Sequence, residues 1–408
     1  MIKTNPFEPI TVGYDWEMAL LKETTESVGM DAIRKIANEI RGKIPFARVG
    51  MDIDLLELRM EIQSDWKTFK EKNRILIDCA KKIAKRNGYT ILPLGARPTE
   101  QMPIGSHIHI GTITDFTDAT RIANAMIRYV PCLIALACNS PFSRLSLGQF
   151  KSYRIIYNAE ECSLSNEIRI PRFAQGGWGE DIQVRLPEKP TIECRCLDSA
   201  SDINLMEEYV ALLAGLLFGI GKKSTGMRNK ENEIKDASIN RFRGAKHGLQ
   251  AFFIWNDKET PVTDIFPEIF SLAQEGLESF GASLDNLKTI KKMLRKRQTQ
   301  SDFLMMLSEI DRDPSSLLRT IMNIYSDENA FKQYLEKARK LPLRKPIVLE
   351  DFILSKITKD VPYNHLNLLT SLPPYYLNRI LEKFEKEGKI ISRVLPYEGK
   401  VYTRKKFL

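Results

Sequence analysis

Gly105-Ser-His107-Ile-His109-Ile-Gly111 alternates polar and apolar side chains with the period of a β-strand. His107 and His109 therefore project from one face, Ile108 and Ile110 from the other. The same spacing puts Asp15 with Glu17 in Gly13-Tyr-Asp-Trp-Glu17, and Glu193 with Arg195 in Thr191-Ile-Glu-Cys-Arg-Cys-Leu-Asp198. A fourth segment, Asp54-Leu-Leu-Glu57-Leu-Arg-Met-Glu61, reads two ways. On a helix its acids share a face, whereas on a strand Glu57 and Glu61 face away from Asp54.

Outward from these segments, strands are predicted over 10–21, 89–95, 106–113 and 191–197, with a mixed, acidic stretch at 48–62. Helices are predicted over 28–41, over 66–87 with Gly88 as the stop, from Asp115 or Thr117 to Ala137, and over 203–220. Residues 140–190 are irregular, punctuated by Pro141, Pro171, Gly176, Gly177, Gly179 and Pro187. From Asn229 to about Lys340 the periodicity is almost wholly helical. Strands early and helices late make an α+β pattern without regular βαβ alternation.

Residues 341–346 read as a linker that divides residues 1–340 from a small domain, 347–408. That domain shows helices at 349–359, 363–371 and 375–388, then a hairpin with strands at 389–391 and 400–403, which is the order of a winged helix. Leu377, Ile380, Leu381 and Phe384 give its third helix an apolar stripe.

The 408 residues are 43% apolar and 28% charged, values of a soluble globular protein, and the amino terminus reads as no secretory signal. The longest apolar run, Tyr209–Ile220, is a buried helix too short to span a bilayer, so a cytoplasmic protein without membrane contact is expected. The stretch Gly215–Gly221 in this apolar helix is read as packing. Cys79, Cys132, Cys138, Cys162, Cys194 and Cys196 show no metal spacing and are expected to be reduced, mostly buried thiols. The net charge of +9 is uneven: Leu341–Leu408 holds 13 Lys/Arg against 7 Asp/Glu.

Taken singly, each acidic segment could be a strand wetted on its polar face. Together they put histidines and acids on strands whose other face is apolar. Clustered carboxylates stay ionised only beside cations, and oxygen ligands with one imidazole suit Mg²⁺ or Mn²⁺ better than Zn²⁺. No Walker-type or GxGxxG loop occurs.

These four segments, in this order, resemble the glutamate–cysteine ligase and carboxylate–amine ligase superfamily. Further matches are Leu136–Phe142, Ser152-Tyr-Arg154 and Asn240–Gly248. The resemblance spans roughly residues 10 to 250. It implies a glutamine-synthetase-like fold, a curved antiparallel sheet with flanking helices, to which the winged-helix-like domain is added. It implies metal ligands at Asp15, Glu17, Asp54, Glu61, His107 and Glu193, with Asp15 departing from the family's glutamate. Glu57 would be a further ligand or the neighbour of one. Arg154 resembles the arginine that holds the carboxylate of bound glutamate. Arg195 would face the nucleotide's phosphates, as would Arg241 or Arg243, and His109 would be a nucleotide neighbour or a core histidine.

The implied activity is ATP- and Mg²⁺-dependent amide formation between the γ-carboxyl of glutamate and an amine such as cysteine, through an acyl phosphate. The alternatives are another acid or amine, or a metabolite-sensing DNA-binding regulator derived from such a ligase. Arg393, Lys400, Arg404, Lys405 and Lys406 fit phosphate contacts, but Glu382, Glu385 and Glu387 on the third helix would repel DNA. A protein or dimerisation partner is the favoured expectation there, and a homo-oligomer the expected assembly.

Overall fold

The first strand, β1 (Phe7–Lys22), buries Tyr14, Trp16 and Met18 and turns Asp15 and Glu17 to the opposite face. A computed structural model of the chain describes residues 7–96, 103–113, 116–143, 146–147, 150–157, 181–185, 190–223, 231–310, 313–326, 349–370, 374–396 and 398–405. The expected linker at 341–346, most of the irregular stretch 140–190 and Cys162 lie outside the described residues.

After β1 come α1 (Met30–Lys43), β2 (Gly50–Asp52), β3 (Leu55–Leu58), α2 (Trp66–Arg86), β4 (Tyr89–Leu92) and β5 (Gly105–Ile113). There follow α3 (Phe116–Met126), α4 (Val130–Ala137), a short hairpin β6 (Phe142–Ser143) and β7 (Ser146–Leu147), α5 (Tyr153–Tyr157), β8 (Ile182–Arg185) and β9 (Thr191–Asp198). The main sheet runs β2-β3-β1-β5-β9-β8, antiparallel throughout, with β4 on the far half of β1. The expected α+β architecture is therefore present, built on an antiparallel sheet.

Apolar side chains from the back of the sheet meet α2 and α6 (Ile203–Lys223). Asp65 caps α2 by accepting the Thr68 N–H at 2.7 Å, and Gly88 at φ 77° takes the left-handed conformation beyond its end. Tyr14 packs edge-on against Phe69 of α2 and donates its hydroxyl to Asn73 at 2.6 Å. Helix α6 extends the predicted apolar run to 21 residues, long and apolar enough to cross a membrane, but its most apolar stretch is 89% buried inside the protein. Its glycines do serve packing. A Cβ on Gly219 would stand 1.9 Å from the Leu272 carbonyl oxygen of α8 (Phe266–Ser279), a distance no side chain tolerates.

α7 (Glu231–His247) is followed by β10 (Phe252–Trp255) and β11 (Lys258–Pro261), a hairpin inside the stretch predicted to be helical. Asn256 and Asp257 both have positive φ, 52° and 62°, the backbone that a two-residue hairpin turn requires. The rest of the described stretch is helical as expected, with α9 (Lys288–Lys296), α10 (Gln300–Ile310) and α11 (Pro314–Ser326).

The carboxy-terminal elements are α12 (Leu349–Lys356), β12 (Val361–Pro362), α13 (Tyr363–Thr370), α14 (Pro374–Lys386), β13 (Ile390–Leu395) and β14 (Gly399–Arg404). The hairpin is longer than predicted, and β12 adds a third strand to its edge, in the order β12-β14-β13. Leu377, Ile380, Leu381 and Phe384 share a buried cluster with Ile239 of α7, so this unit is seated on the helix that follows the main sheet.

Candidate active site

Strand register brings the separated motifs onto one face. Asp15 lies opposite His107, Glu17 opposite Glu57, and His109 opposite Glu193. Between Ser106 and Ile108 the β5–β9 register slips, so that Arg195 and Cys196 together face the single His107. The even-numbered neighbours Ile108, Ile192 and Cys194 are buried in the core. Asp15, His107 and Glu193 each offer a ligand atom within 4.8 Å of the others.

Arginines surround this acid–histidine group. Arg195 donates to Glu193 at 2.7 Å, Arg185 of β8 contacts the second Glu193 oxygen, and Arg59, just after β3, contacts Glu57. Arg154 at the start of α5 crosses the site, donating to the Arg195 carbonyl at 2.8 Å and lying 3.4 Å from His107 Nε2. Its guanidinium occupies the space beside Gly105, where a Cβ would come within 2.5 Å of Arg154 Nη2. Glu17 accepts the Gly105 N–H at 2.7 Å.

Burial pushes Glu17 up to about 7, against the pull of Arg154. Burial, with Asp15 close by, pushes Glu57 up to about 7 as well. Glu193 is as deeply buried, yet His109, Arg195 and Arg185 outweigh the burial and hold it below the usual carboxylate range. Burial also acts on Asp15, but its hydrogen bond with His109 at 3.2 Å and the charges of His109, Arg59 and Arg185 together outweigh it, so Asp15 is held down. Burial, then Arg195 and Arg154, push His107 well below the ordinary histidine value, which keeps the ring neutral and its lone pair available. His109 moves up: the Asp15 bond and the Glu193 charge overcome its burial.

The sequence-predicted set is thus partly gathered. Asp15, Glu17, His107, His109, Glu193, Arg154 and Arg195 come together. Asp54 sits in the β2–β3 turn, and the acid of that hairpin acting on Glu17 and Glu57 is Asp52. Glu61 lies elsewhere. Strand β3 ends at Leu58, the Glu61 N–H turns to the Phe46 carbonyl, and its carboxylate contacts Lys72 of α2. Glu57, opposite Glu17, takes the place expected for Glu61.

Arg241 and Arg243 are also redirected. Arg241 makes a buried two-pronged pair with Asp181 at 2.6 and 3.0 Å, and Arg243 donates to the Phe252 carbonyl at 3.1 Å and meets Glu259 at 3.0 Å. Both face α7's own neighbours, not the metal-ligand candidates. Arg241→Gln is accordingly expected to lower the unfolding free energy by about 3–5 kcal/mol, because it leaves the Asp181 charge buried alone. A denaturant midpoint unchanged by this substitution would refute the structural assignment.

Three organising residues escaped the sequence reading. Asp198, fully buried at the end of β9, accepts from the Asn139 N–H at 2.7 Å, from Ser140 Oγ at 2.7 Å and from Ser152 Oγ at 2.9 Å. One carboxylate therefore anchors both the Asn139-Ser140 and the Ser152-Tyr-Arg154 motifs and fixes where Arg154 starts. Arg59, two residues after Glu57 and just beyond the end of β3, had only that spacing as a signal. Arg185 carries no comparable local signal.

No family profile matches the chain. Among curated proteins it is similar to a Legionella pneumophila protein (strain Philadelphia 1) named "Putative glutamate–cysteine ligase 2", 26% identical over 239 residues, 53% of this chain and 60% of that protein. A Thermobifida fusca protein of the same name is 23% identical over 337 residues, 70% of this chain and 83% of the relative. The chain thus spans about 60% of the length of the Legionella relative. Among solved structures, a Francisella tularensis glutamate–cysteine ligase in complex with AMP shares the fold, with a TM-score of 0.55 at 12% identity over 93% of this chain and 98% of that one. Motifs, sequence relatives and fold all support a likeness to the carboxylate–amine ligase superfamily.

Proposed function

We propose that the chain is an ATP- and Mg²⁺-dependent ligase that activates the γ-carboxyl of glutamate as an acyl phosphate and joins it to an amine, cysteine being the first candidate. The observation that carries this reading is the Asp15–His107–Glu193 group, flanked by Glu17 and Glu57 and ringed by Arg59, Arg154, Arg185 and Arg195 on one sheet face. The Francisella structure that shares the fold is a complex with AMP, which supports a nucleotide ligand for this chain.

The donor set fits a hard divalent cation: carboxylate oxygens with one neutral imidazole, and two carboxyls that burial lifts to about 7. Asp15, His107 and Glu193 would hold one ion, with Glu17 and Glu57 beside them. When bound, such ions neutralise phosphate charge and align the acceptor oxygen. The residues of the chain position the reactants. Arg195 is the phosphate-facing arginine, and Arg154, held from the Ser152 side by Asp198, is the carboxylate clamp. The glutamate oxygen bonds to the γ-phosphorus as the bond to the ADP oxygen breaks. The amine nitrogen then attacks the acyl carbon, phosphate leaves with the bonding pair, and the amine's proton passes to water.

The carboxy-terminal unit is read as a winged-helix-like module with a protein partner. Three of its cations are paired with acids of the unit itself: Arg393 with Asp360, Lys400 with Glu385 at 3.6 Å, and Lys389 with Glu387 at 2.6 Å. A cation already held by a carboxylate contributes less to a phosphate backbone, which weighs against the regulator alternative.

Phosphate release from Mg-ATP and glutamate, with the amine varied, is the deciding assay. Amine-dependent release with cysteine is the expected result. Release only with another amine would replace the substrate, and none with any amine would remove the ligase reading.

A further inference from the structure

A cavity of about 430 Å³ lies on the reverse of the main sheet, away from the acid–histidine group. Its apolar floor includes Trp16 and Met18, which alternate with Asp15 and Glu17 along β1, and Ile77 of α2. Its rim carries Arg74 and Lys81 from the same α2 face and Asp202 before α6. The size is that of small-molecule sites, and a floor without charge under a rim with both signs is selective.

The rim is chemically uneven. Asp202 Oδ1 accepts from the Asn204 N–H at 2.8 Å and from Asn204 Nδ2 at 3.1 Å, while its other oxygen has no hydrogen-bond donor among the described residues. Arg74 donates to Asn204 at 2.8 Å and Glu207 at 3.2 Å, which fixes the guanidinium at the edge. Lys81 has no salt-bridge partner among the described residues and acts on Asp202 only through its charge, so its ammonium is available to an anion. An apolar body with a carboxylate and an ammonium at one end matches this arrangement.

We propose that this cavity binds the zwitterion of an α-amino acid with an apolar side chain, its carboxylate toward Lys81 and Arg74, its ammonium on Asp202 and its side chain over Trp16, Met18 and Ile77. The floor communicates with the candidate active site. Trp16 Nε1 donates to Ser199 Oγ at 3.1 Å, and that hydroxyl donates to the Glu17 carbonyl at 2.7 Å. A ligand that shifts the Trp16 ring therefore acts on the backbone carrying Glu17.

Binding here needs no ligase activity, so its test stands apart from phosphate release. Calorimetric titration of the full chain would use L-phenylalanine, phenylacetate, which lacks the ammonium, and phenethylamine, which lacks the carboxylate. Saturable binding of L-phenylalanine is expected, with each analogue at least about tenfold weaker for want of one charge-assisted hydrogen bond. Asp202→Asn keeps a residue able to cap α6. It should weaken L-phenylalanine to the level of phenylacetate and leave phenylacetate unchanged, whereas Lys81→Gln should weaken both carboxylates. No saturable heat with L-phenylalanine, or equal affinity in Asp202→Asn and the parent chain, would overturn the proposal.

Discussion

Glu193→Gln is expected to cut phosphate release by about 10²–10³-fold while the chain stays folded. Glu193 is fully buried, and a single oxygen of it reaches Arg195 at 2.7 Å, His107 at 3.7 Å and His109 at 3.8 Å. Its other oxygen is engaged by Arg185. The carboxylate is therefore the common partner of both histidines and two arginines, and the group most able to hold a cation. A carboxamide has the same shape, but it carries no charge, and its NH₂ must face either an arginine or the histidines. Losing that one pairing costs about 1–3 kcal/mol of stability, within what a chain of this size tolerates. Circular dichroism and an unfolding curve would verify the fold. Glu61→Gln is the matched control: its side chain is 39% exposed and paired with Lys72 on α2, so release should stay within roughly twofold. If Glu193→Gln turned over normally, or if Glu61→Gln were as damaging, the site would have to be redrawn.

The contrast between those two glutamates shows what the sequence could reveal. Period-two alternation correctly paired Asp15 with Glu17, His107 with His109 and Glu193 with Arg195, because each segment is a strand buried on its other face. The Asp54–Glu61 segment resisted reading because it is neither one helix nor one strand: a hairpin turn holds Asp54, a four-residue strand carries Glu57, and the chain leaves the sheet before Glu61. Spacing can rank a face only while the element lasts. Arg241 and Arg243 failed for another reason. Their partners Asp181 and Glu259 are distant in sequence or across a hairpin, and a buried structural arginine has the same local signature as a phosphate-binding one. The β10–β11 hairpin was legible after all, in Asn256-Asp257 directly after the apolar run Phe252–Trp255, but the helical periodicity on either side masked it. Asp198 lay in a motif already singled out, yet its role emerges only when Ser140 and Ser152 are brought to it by the fold.

The metal-free chain is expected to lose stability as the pH rises from about 5 to 8, and a divalent cation to restore it most at the upper end. Glu17 and Glu57 sit at about 7, above the ordinary glutamate value. Between roughly pH 4.5 and 7 the folded chain therefore holds protons that the unfolded chain has released, so raising the pH favours unfolding. Below that window both states are protonated and the effect vanishes. Above it the loss is complete, on the order of 3 kcal/mol for one such carboxyl, with mutual coupling between the two preventing simple addition. His109, shifted upward, adds in the same direction, because its stabilising charge is lost as the pH climbs through its folded value. His107 opposes: it stays neutral when folded, so acidification below about 6.5 favours the unfolded chain, which takes up that proton. Within the site, two carboxyls and His109 against one imidazole leave a decline with rising pH, to which the upward-shifted Asp198, Asp202, Glu207 and Glu208 add and which the downward-shifted His247 and Lys246 oppose. A cation that binds the ionised carboxylates displaces those protons and reverses the trend. Melting curves with and without Mn²⁺ at pH 6 and pH 8 would test this, the Mn²⁺-induced rise in Tm being larger at pH 8. In Glu57→Gln the metal-free chain should melt higher at pH 8 than its parent, since no charge is forced into the buried row, and the Mn²⁺ increment should shrink. An equal Mn²⁺ increment at both pH values, or one that survives undiminished in Glu57→Gln, would show that cations do not bind where these carboxylates converge.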